Sequence, residues 1–249
     1  MCIICASAAG VRQPDAATLR RMFINNPHGA GFMYAREGKV TIEKGFMRWD
    51  DFARAVKKAA FTAADPVVYH FRISTQAGVN PGMTHPFPLT ADITKTRELD
   101  VVCPVGVAHN GIVRMTSDFR DKVYSDTAHY IAEFMAYLIR SGNDLRNPAI
   151  LDAIARMTDG SKWAIMDGSG YIATAGGFIN DNGLLYSNAG FRADRYHDRG
   201  GVRVQAIRGS QSVLRGFYDD EPEYDDNAGR TDDLEPEDID PETGEPWGF

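Results

Sequence analysis

Short runs of apolar residues, broken by glycine, proline and Asp-Gly or Asn-Gly pairs, recur along the chain. Such runs are typical of β-strands joined by tight turns. The runs FMYA and KVTIEKG flank Glu37-Gly38 and predict a hairpin. Further strands are predicted for IICASA, PVVYHFRI, VVCPVGVAH, KWAIMD, YIATAGG and LLYSN.

Four segments have the apolar spacing of amphipathic helices instead. One covers residues 15–26, behind Pro14, and another covers 149–157. Asp50 or Asp51 is predicted to cap a helix that reaches about Phe61. Ser125-Asp126 is predicted to begin a long helix to about Ser141, which Gly142 would end.

The order of these elements indicates the fold class. Most strands come in hairpins and the helices come in separate runs, which favours antiparallel sheets with helices packed outside, an α+β layered fold. The sequence contains neither GxGxxG nor GxxxxGK[ST], so no motif supports nucleotide binding.

Composition adds the size of the core and the cellular compartment. The chain has 249 residues, of which 43% are hydrophobic, enough for a substantial core. Only three cysteines occur, which does not predict a disulfide framework and favours the reducing cytosol. We expect no membrane span and no secretory signal.

Charge divides the chain into two parts. Residues 218–249 hold 14 of the 34 acidic residues but one of the 27 basic residues. We therefore predict a globular domain over 1–217, with a net positive charge, and a disordered acidic tail over 218–249. The tail would increase solubility, screen the basic body, or dock through Trp247 and Phe249. We find no nucleic-acid reader motif.

The candidate chemistry begins at Cys2. Methionine aminopeptidase usually removes Met1 when residue 2 is small, and Cys2 would then carry a thiol and a free α-amine. The reference pKa values of these groups are both about 8, so the amine is able to take the thiol proton. The alternative interpretation is a Cys2-x-x-Cys5 metal or redox pair, but further zinc ligands are scattered. Cys5 is expected to be a buried strand residue.

Three further segments carry polar groups suited to binding an amide substrate. Arg72, in HFRISTQAG, would pair with a carboxylate, or else with an acid in the core. Asn110-Gly111 would supply two N–H donors to an oxyanion, or else form a simple turn. Asp126 would bind an ammonium group, cap a helix, or do both.

Taken together and in this order, these segments resemble the class II glutamine amidotransferases, whose glutaminase domain has an N-terminal nucleophile. The segments that carry the resemblance are MC, NPHGAGF with Gly29 and Gly31, HFRISTQAG, HPF, AHNG, SDT and YSNAG, and they extend over about residues 2–191.

The resemblance implies a four-layer αββα sandwich of the N-terminal-nucleophile (Ntn) hydrolase type, with two antiparallel sheets. It implies that Cys2 is the nucleophile and that Asn110 and Gly111 hold the oxyanion. Arg72 would bind the α-carboxylate of L-glutamine, and Asp126 its α-ammonium. Thr75 and Gln76 would line the pocket, and His85 belongs to the His-Pro pair that often follows. No cofactor or metal is implied.

The resemblance also implies that ammonia from glutamine passes to an acceptor enzyme. Few residues remain after YSNAG, so we expect a separate synthase or amide ligase as partner. Ile3 replaces the glycine that usually follows the nucleophile. Whether the chain forms a homo-oligomer is left open.

Two other functions are compatible with the same segments. Cysteine-first acylases share the nucleophile and would use Asn188 as an oxyanion donor, although the Arg72 and Asp126 pairing favours glutamine. A catalytically silent binding module on the same scaffold is the third hypothesis, and it would gain support if Met1 were retained.

Overall fold

A computed structural model of the chain describes residues 1–74, 79–114 and 123–192. Thr75 and Gln76 lie outside the described residues, as do the acidic tail and the predicted domain end at residue 217. The described residues form a mixed α/β structure with two antiparallel sheets.

The larger sheet has seven strands in the order β10-β11-β1-β4-β2-β3-β6. Its strands β1 and β4 lie in the middle, antiparallel to each other, with Ile4 opposite His70. The bounds are β1 Ile3–Ser7, β2 Ala30–Arg36, β3 Lys39–Phe46, β4 Val67–Phe71, β6 Asp100–Cys103, β10 Ile179–Asp181 and β11 Leu184–Tyr186.

The smaller sheet has four strands in the order β5-β7-β8-β9. Its longest pairing joins β7 to β8, from Val105 opposite Asp167 to Asn110 opposite Lys162. The bounds are β5 Phe87–Pro88, β7 Val105–Asn110, β8 Lys162–Asp167 and β9 Ile172–Ala175.

Helices occur in two groups along the chain. Asp15 caps the first helix by accepting a hydrogen bond from Thr18 N at 2.8 Å. The bounds are α1 Ala16–Asn25, α2 Trp49–Ala59, α3 Asp126–Tyr130, a π-helical turn Ile131–Met135, α4 Ala136–Leu138 and α5 Pro148–Met157. Short 3₁₀ turns cover Pro81–Met83, Ile93–Arg97, Gly142–Arg146 and Ala189–Phe191.

Three apolar clusters join these elements, because alternate strand residues point to opposite faces. One cluster joins Ile3 and Phe32 of the larger sheet to Leu19 of α1 and Phe52 of α2. A second joins Val107 and Trp163 of the smaller sheet to the later helices. The third joins the remaining faces of the two sheets and contains Ile4, Met33, Val68, Ala108 and Met166.

The segment VVCPVGVAH, predicted as one strand, forms two strands in different sheets. Val101 and Val102 of β6 pair with β3, whereas β7 pairs with β8. Pro104 lies between the two strands and has no N–H to donate to a ladder, so pairing stops there and the chain passes to the second sheet.

Two helix boundaries also differ from those predicted from the sequence. Arg48, not an aspartate, is the N-cap of α2, and Asp50 and Asp51 lie in its first turn, where negative charge is also favourable. The predicted long helix ends at Leu138, since Ile139 is extended and buried in a core cluster.

Gly142 has a different role from the predicted helix stop. It begins a 3₁₀ turn, and an added Cβ there would lie 2.8 Å from Asp167 Cβ. A close approach between two segments therefore requires this glycine. Strands β5 and β10 were not predicted, and the other predicted helices and strands lie at the expected segments within a few residues.

Candidate active site around Cys2

Strand alternation places the candidate residues at one end of the space between the two sheets. Ile4, Val68 and Ala108 all belong to the cluster that joins the sheets. Residues two positions apart on a strand point to the same face of the sheet. Cys2, His70 and Asn110 lie two positions from Ile4, Val68 and Ala108, so their side chains also point toward the space between the sheets.

Cys2 lies just before β1 and is held at both its thiol and its backbone. Its Sγ accepts from Ile73 N at 3.4 Å and lies 3.5 Å from Ile73 O. Its carbonyl oxygen accepts from Asn188 Nδ2 at 2.7 Å. Burial raises the pKa of the Cys2 thiol, while the Ile73 N–H, the Arg72 guanidinium and the N-terminal amine act in the opposite direction.

Arg72 and Asp126 give the cavity beside Cys2 one charge of each sign. Arg72 is 5% exposed, and burial lowers its pKa while Cys2 and Asp126 act to raise it. Asp126 begins α3 and accepts from Val113 N at 2.7 Å and from Thr127 N at 2.8 Å. Oδ1 also accepts a longer contact of 3.4 Å from Thr127 Oγ1, whereas Oδ2 has Val113 N as its one donor among the described residues and keeps a lone pair for a ligand.

Gly111 follows β7 and borders the same cavity. A Cβ at this position would lie 2.8 Å from Ser161 Cα and 2.9 Å from His109 Nε2. Only glycine lets the backbone pass this closely between the two neighbours.

Asn110 is 3% exposed and connects the two sheets through Ser187. Its Nδ2 lies 2.9 Å from Ser187 Oγ, and the same oxygen accepts from Ile4 N at 2.8 Å. The amide oxygen of Asn110 is buried with no partner among the described residues.

His85 belongs to a buried cluster of three histidines. Its Nδ1 lies 3.1 Å from His70 Nε2 and 3.1 Å from the carbonyl oxygen of His109. Burial lowers the pKa of His70 to about 3, that of His109 to about 3, and that of His85 well below its usual range. All three rings are therefore neutral near pH 7.

The glycine segment before β2 carries no ligand group but permits close packing. An added Cβ on Gly29 would lie 2.5 Å from Thr84 Cγ2, and one on Gly31 would collide with the carbonyl oxygen of His85. Lys44 also secures this region, since its buried Nζ donates to the carbonyl oxygens of Gly82, Thr84 and Thr96. These contacts hold the backbone next to His85, which lines the cavity.

Five of the residues singled out in the sequence line one cavity of about 40 Å³: Cys2, Arg72, His85, Gly111 and Asp126. A space of this size holds the reacting end of a substrate or a few water molecules. Asn110 lies next to Gly111 but is not among the residues that line the cavity, and the placement of Thr75 and Gln76 remains a prediction.

Ile3 and Cys5 point away from the cavity. Ile3 is fully buried in the cluster with α1 and α2, which accounts for an apolar side chain at this position. Cys5 is in the same cluster, and burial raises the pKa of its thiol to about 12. It is therefore a buried strand residue, as predicted.

Sequence patterns did not single out Ile73, Ser187 or His109 as site residues. The first acts through its backbone, which no side-chain pattern reveals. Ser187 lies 77 residues from Asn110, and only the assembled sheets bring the two together. His109 immediately precedes Asn110, and its Nδ1 lies 2.8 Å from Thr127 Oγ1.

No protein-family model matches the chain, and no curated protein matches it. Within the described ranges, no group of three His, Cys, Asp or Glu side chains is arranged to hold a metal ion. None of the helices in those ranges is both long and apolar enough to span a bilayer.

Proposed function

We propose that this protein is a glutamine amidotransferase subunit that hydrolyses L-glutamine to glutamate and ammonia through a thioester on Cys2. The observation that carries the proposal is the shared cavity: Cys2, Arg72, Gly111 and Asp126, far apart in the sequence, all line it. To bind an amino acid that bears a side-chain amide and to cleave that amide, a site needs a nucleophilic thiol, a cation, an anion and a backbone N–H.

The two charges supply selectivity. Arg72 pairs with the α-carboxylate of the substrate and Asp126 with its α-ammonium. Both side chains are largely buried, so a ligand with both head groups meets a cation and an anion in the same cavity, whereas a ligand that lacks one head group forms one charge-assisted contact fewer. The uncharged side-chain amide then extends toward Cys2.

The proposed first step forms the thioester. After removal of Met1, the α-amine of Cys2 takes the thiol proton, directly or through one water molecule, and the thiolate attacks the amide carbon. The Gly111 N–H and the Asn110 amide stabilise the oxyanion. The protonated amine returns its proton to the departing nitrogen, the C–N bond breaks, and ammonia leaves.

The second step regenerates the enzyme. Water, deprotonated by the same amine, attacks the thioester carbon through a second oxyanion, and the C–S bond breaks to release glutamate and the thiol. Met1 is 80% exposed, so no packing opposes its removal.

Placement of Cys2 supports a nucleophilic role. Asn188 and Ile73 fix its carbonyl and its thiol. The Asn188 Nδ2 that an acylase would direct at an oxyanion is bonded to the Cys2 carbonyl instead, which favours glutamine hydrolysis over the acylase alternative.

The fold we propose is the four-layer αββα sandwich of the Ntn hydrolases. Three apolar clusters support it: one between the two sheets, and one between each sheet and its own group of helices. Ammonia released at Cys2 would serve a separate synthase or amide ligase.

The test combines mass and activity. Intact mass of the purified protein reports removal of Met1, and a coupled glutamate assay measures glutamine hydrolysis with and without candidate partners. We expect activity in the trimmed wild type and none in Cys2→Ala.

Cys5→Ala is the matched control, because it removes a buried thiol from the same strand without touching the cavity. It should keep most of the wild-type activity. A correctly trimmed wild type without Cys2-dependent release of ammonia or glutamate would contradict the proposal and favour a binding module.

A further inference from the structure

Ser187 is fixed at all of its polar backbone atoms. Its N–H donates to Ile4 O at 3.0 Å, and its carbonyl oxygen accepts from Lys162 Nζ. The residue is fully buried. Its hydroxyl oxygen therefore lies at a set position between β1 of one sheet and Asn110 at the end of β7 in the other.

The hydrogen-bond inventory at this hydroxyl restricts the Asn110 amide. A serine hydroxyl has one donor and two acceptor lone pairs. Ile4 N–H is able only to donate, so it occupies one lone pair, at 2.8 Å. The contact of 2.9 Å with the Asn110 amide then involves either the second lone pair or the hydroxyl hydrogen.

The two choices leave different atoms unpaired. If Asn110 Nδ2 donates to Ser187, the serine hydrogen has no acceptor within the described part of the chain, and Asn110 Oδ1 is buried without a donor. If the amide is turned over, Ser187 O–H donates to Oδ1, and the NH₂ group occupies the position of the unpaired atom. The oxygen and nitrogen of an amide are similar in size, so the same geometry admits both.

The second orientation, in which Ser187 O–H donates to Asn110 Oδ1, pairs the serine hydrogen. It leaves one unpaired group, the NH₂ of Asn110, which is a donor. Buried polar groups are nearly always paired, and an unpaired donor beside Gly111 is suited to an oxyanion, which is an acceptor. The chain of bonds then runs from Ile4 N–H to Ser187 Oγ, and from Ser187 O–H to Asn110 Oδ1.

We propose that Ser187 is a positioning residue that orients the Asn110 amide, with its hydroxyl donating to Oδ1 so that the NH₂ group is left for the oxyanion of the reaction. The catalytic part of this inference rests on the proposed glutaminase function. The hydrogen-bond direction does not depend on that function.

The first experiment reads the bond direction. Neutron diffraction from crystals exchanged into D₂O locates the deuterons on Ser187 Oγ and on the Asn110 amide. We expect the serine deuteron to point at Asn110. A deuteron of the Asn110 amide pointing at Ser187 Oγ would overturn the proposal, whether or not the protein is active.

The second experiment is a kinetic cycle of wild type, Ser187→Ala, Asn110→Ala and the double variant. Loss of one oxyanion donor typically costs about 10²–10³-fold in kcat, and we expect roughly 10- to 100-fold for the loss of its orientation, with KM nearly unchanged. In the Asn110→Ala background, Ser187→Ala should have little further effect, since residues that act together are not additive.

Ser7→Ala is the control, because Ser7 is also fully buried on β1 but lies at its opposite end. It should keep wild-type kcat. Thermal unfolding of each variant, together with alkylation of Cys2 by iodoacetamide, distinguishes misfolding from misorientation. Ser187→Cys, which keeps a weak donor of similar size, should recover part of the lost kcat.

The outcomes separate the two proposals. If the wild type is inactive, the glutaminase function fails and the deuteron positions decide the orientation. If the wild type is active, two results would show that Ser187 does not act through Asn110 and that the inference is wrong. One is a Ser187→Ala variant with wild-type kcat, and the other is a Ser187→Ala substitution that lowers kcat by the same factor in the wild-type and Asn110→Ala backgrounds.

Discussion

Replacement of Arg72 by methionine removes the cation of the cavity and keeps much of the apolar volume of the side chain. Arg72 is 5% exposed, and its charge interacts with Cys2 and Asp126. In the proposed complex, the guanidinium donates to the α-carboxylate of glutamine, and the variant has no donor for that group.

The size of the effect follows from the chemistry of that pair. A hydrogen bond to a charged group contributes about 1.5–3 kcal/mol, which corresponds to a decrease of about 10- to 150-fold in kcat/KM for glutamine. Arg72→Lys should recover only part of this loss, because an ammonium does not reproduce the planar two-pronged contact.

The assay compares two substrates. 4-Aminobutanamide is glutamine without its α-carboxylate, so wild type should hydrolyse it poorly, and Arg72→Met should lower that rate much less than the glutamine rate. Arg36→Met is the control variant, because Arg36 is 43% exposed and pairs with Asp65 on the surface. It should affect neither substrate.

An equal loss on both substrates would refute the reasoning. It would mean that Arg72 acts on the Cys2 thiol or on the fold and not on the carboxylate. A change in thermal unfolding measured on the same samples would identify the fold as the cause, and an upward shift in the pH dependence of Cys2 alkylation would identify the thiol.

Three further predictions concern neighbouring groups. Gly111→Ala should lower both kcat and the melting temperature, because the new methyl group would lie 2.8 Å from Ser161 Cα; wild-type values in calorimetry and kinetics would contradict this. Asp126→Asn should lower kcat/KM for glutamine by about 10-fold or more, but should lower that for glutaramate, which lacks the α-amine, much less. Equal losses of kcat/KM on the two substrates would exclude ammonium binding by Asp126. The free energy of unfolding should decrease as pH falls from 6.5 toward 3, because burial lowers the pKa of His109 to about 3 and only the unfolded chain takes up the proton in this range. His109→Gln should reduce the dependence of the unfolding free energy on pH, measured by urea titration, by about 1.4 kcal/mol per pH unit. An unchanged pH dependence would contradict this.

Local patterns predicted much of the fold, because many of the strands are joined by tight turns that the sequence marks. The hairpin around Glu37-Gly38 and the helix behind Asp15 are examples. The division at Pro104 was missed because β-propensity continues on both sides of the proline, and only pairing partners distant in sequence assign the two halves to different sheets.

The candidate site was predictable where it consists of side chains with a specific charge or reactivity. Cys2, Arg72 and Asp126 were singled out in this way, and they line one cavity. Contacts made by backbone atoms or by common residues at long sequence separation have no such signal. Ile73, whose amide contacts the thiol, and Ser187, which lies between the two sheets, were missed for this reason.

The pairing of β1 has a consequence for the timing of biosynthesis. Strand β1 pairs with β11 as well as with β4, and the Asn188 amide that holds the Cys2 carbonyl is 186 residues away. At roughly 5–20 residues per second, a ribosome needs about 10–40 s to add that length. During this interval the beginning of the nascent chain lacks its last partners and stays accessible to an aminopeptidase at the exit tunnel. Removal of Met1 would thus precede closure of the pocket, and the order of synthesis would expose the amine that the proposed mechanism requires.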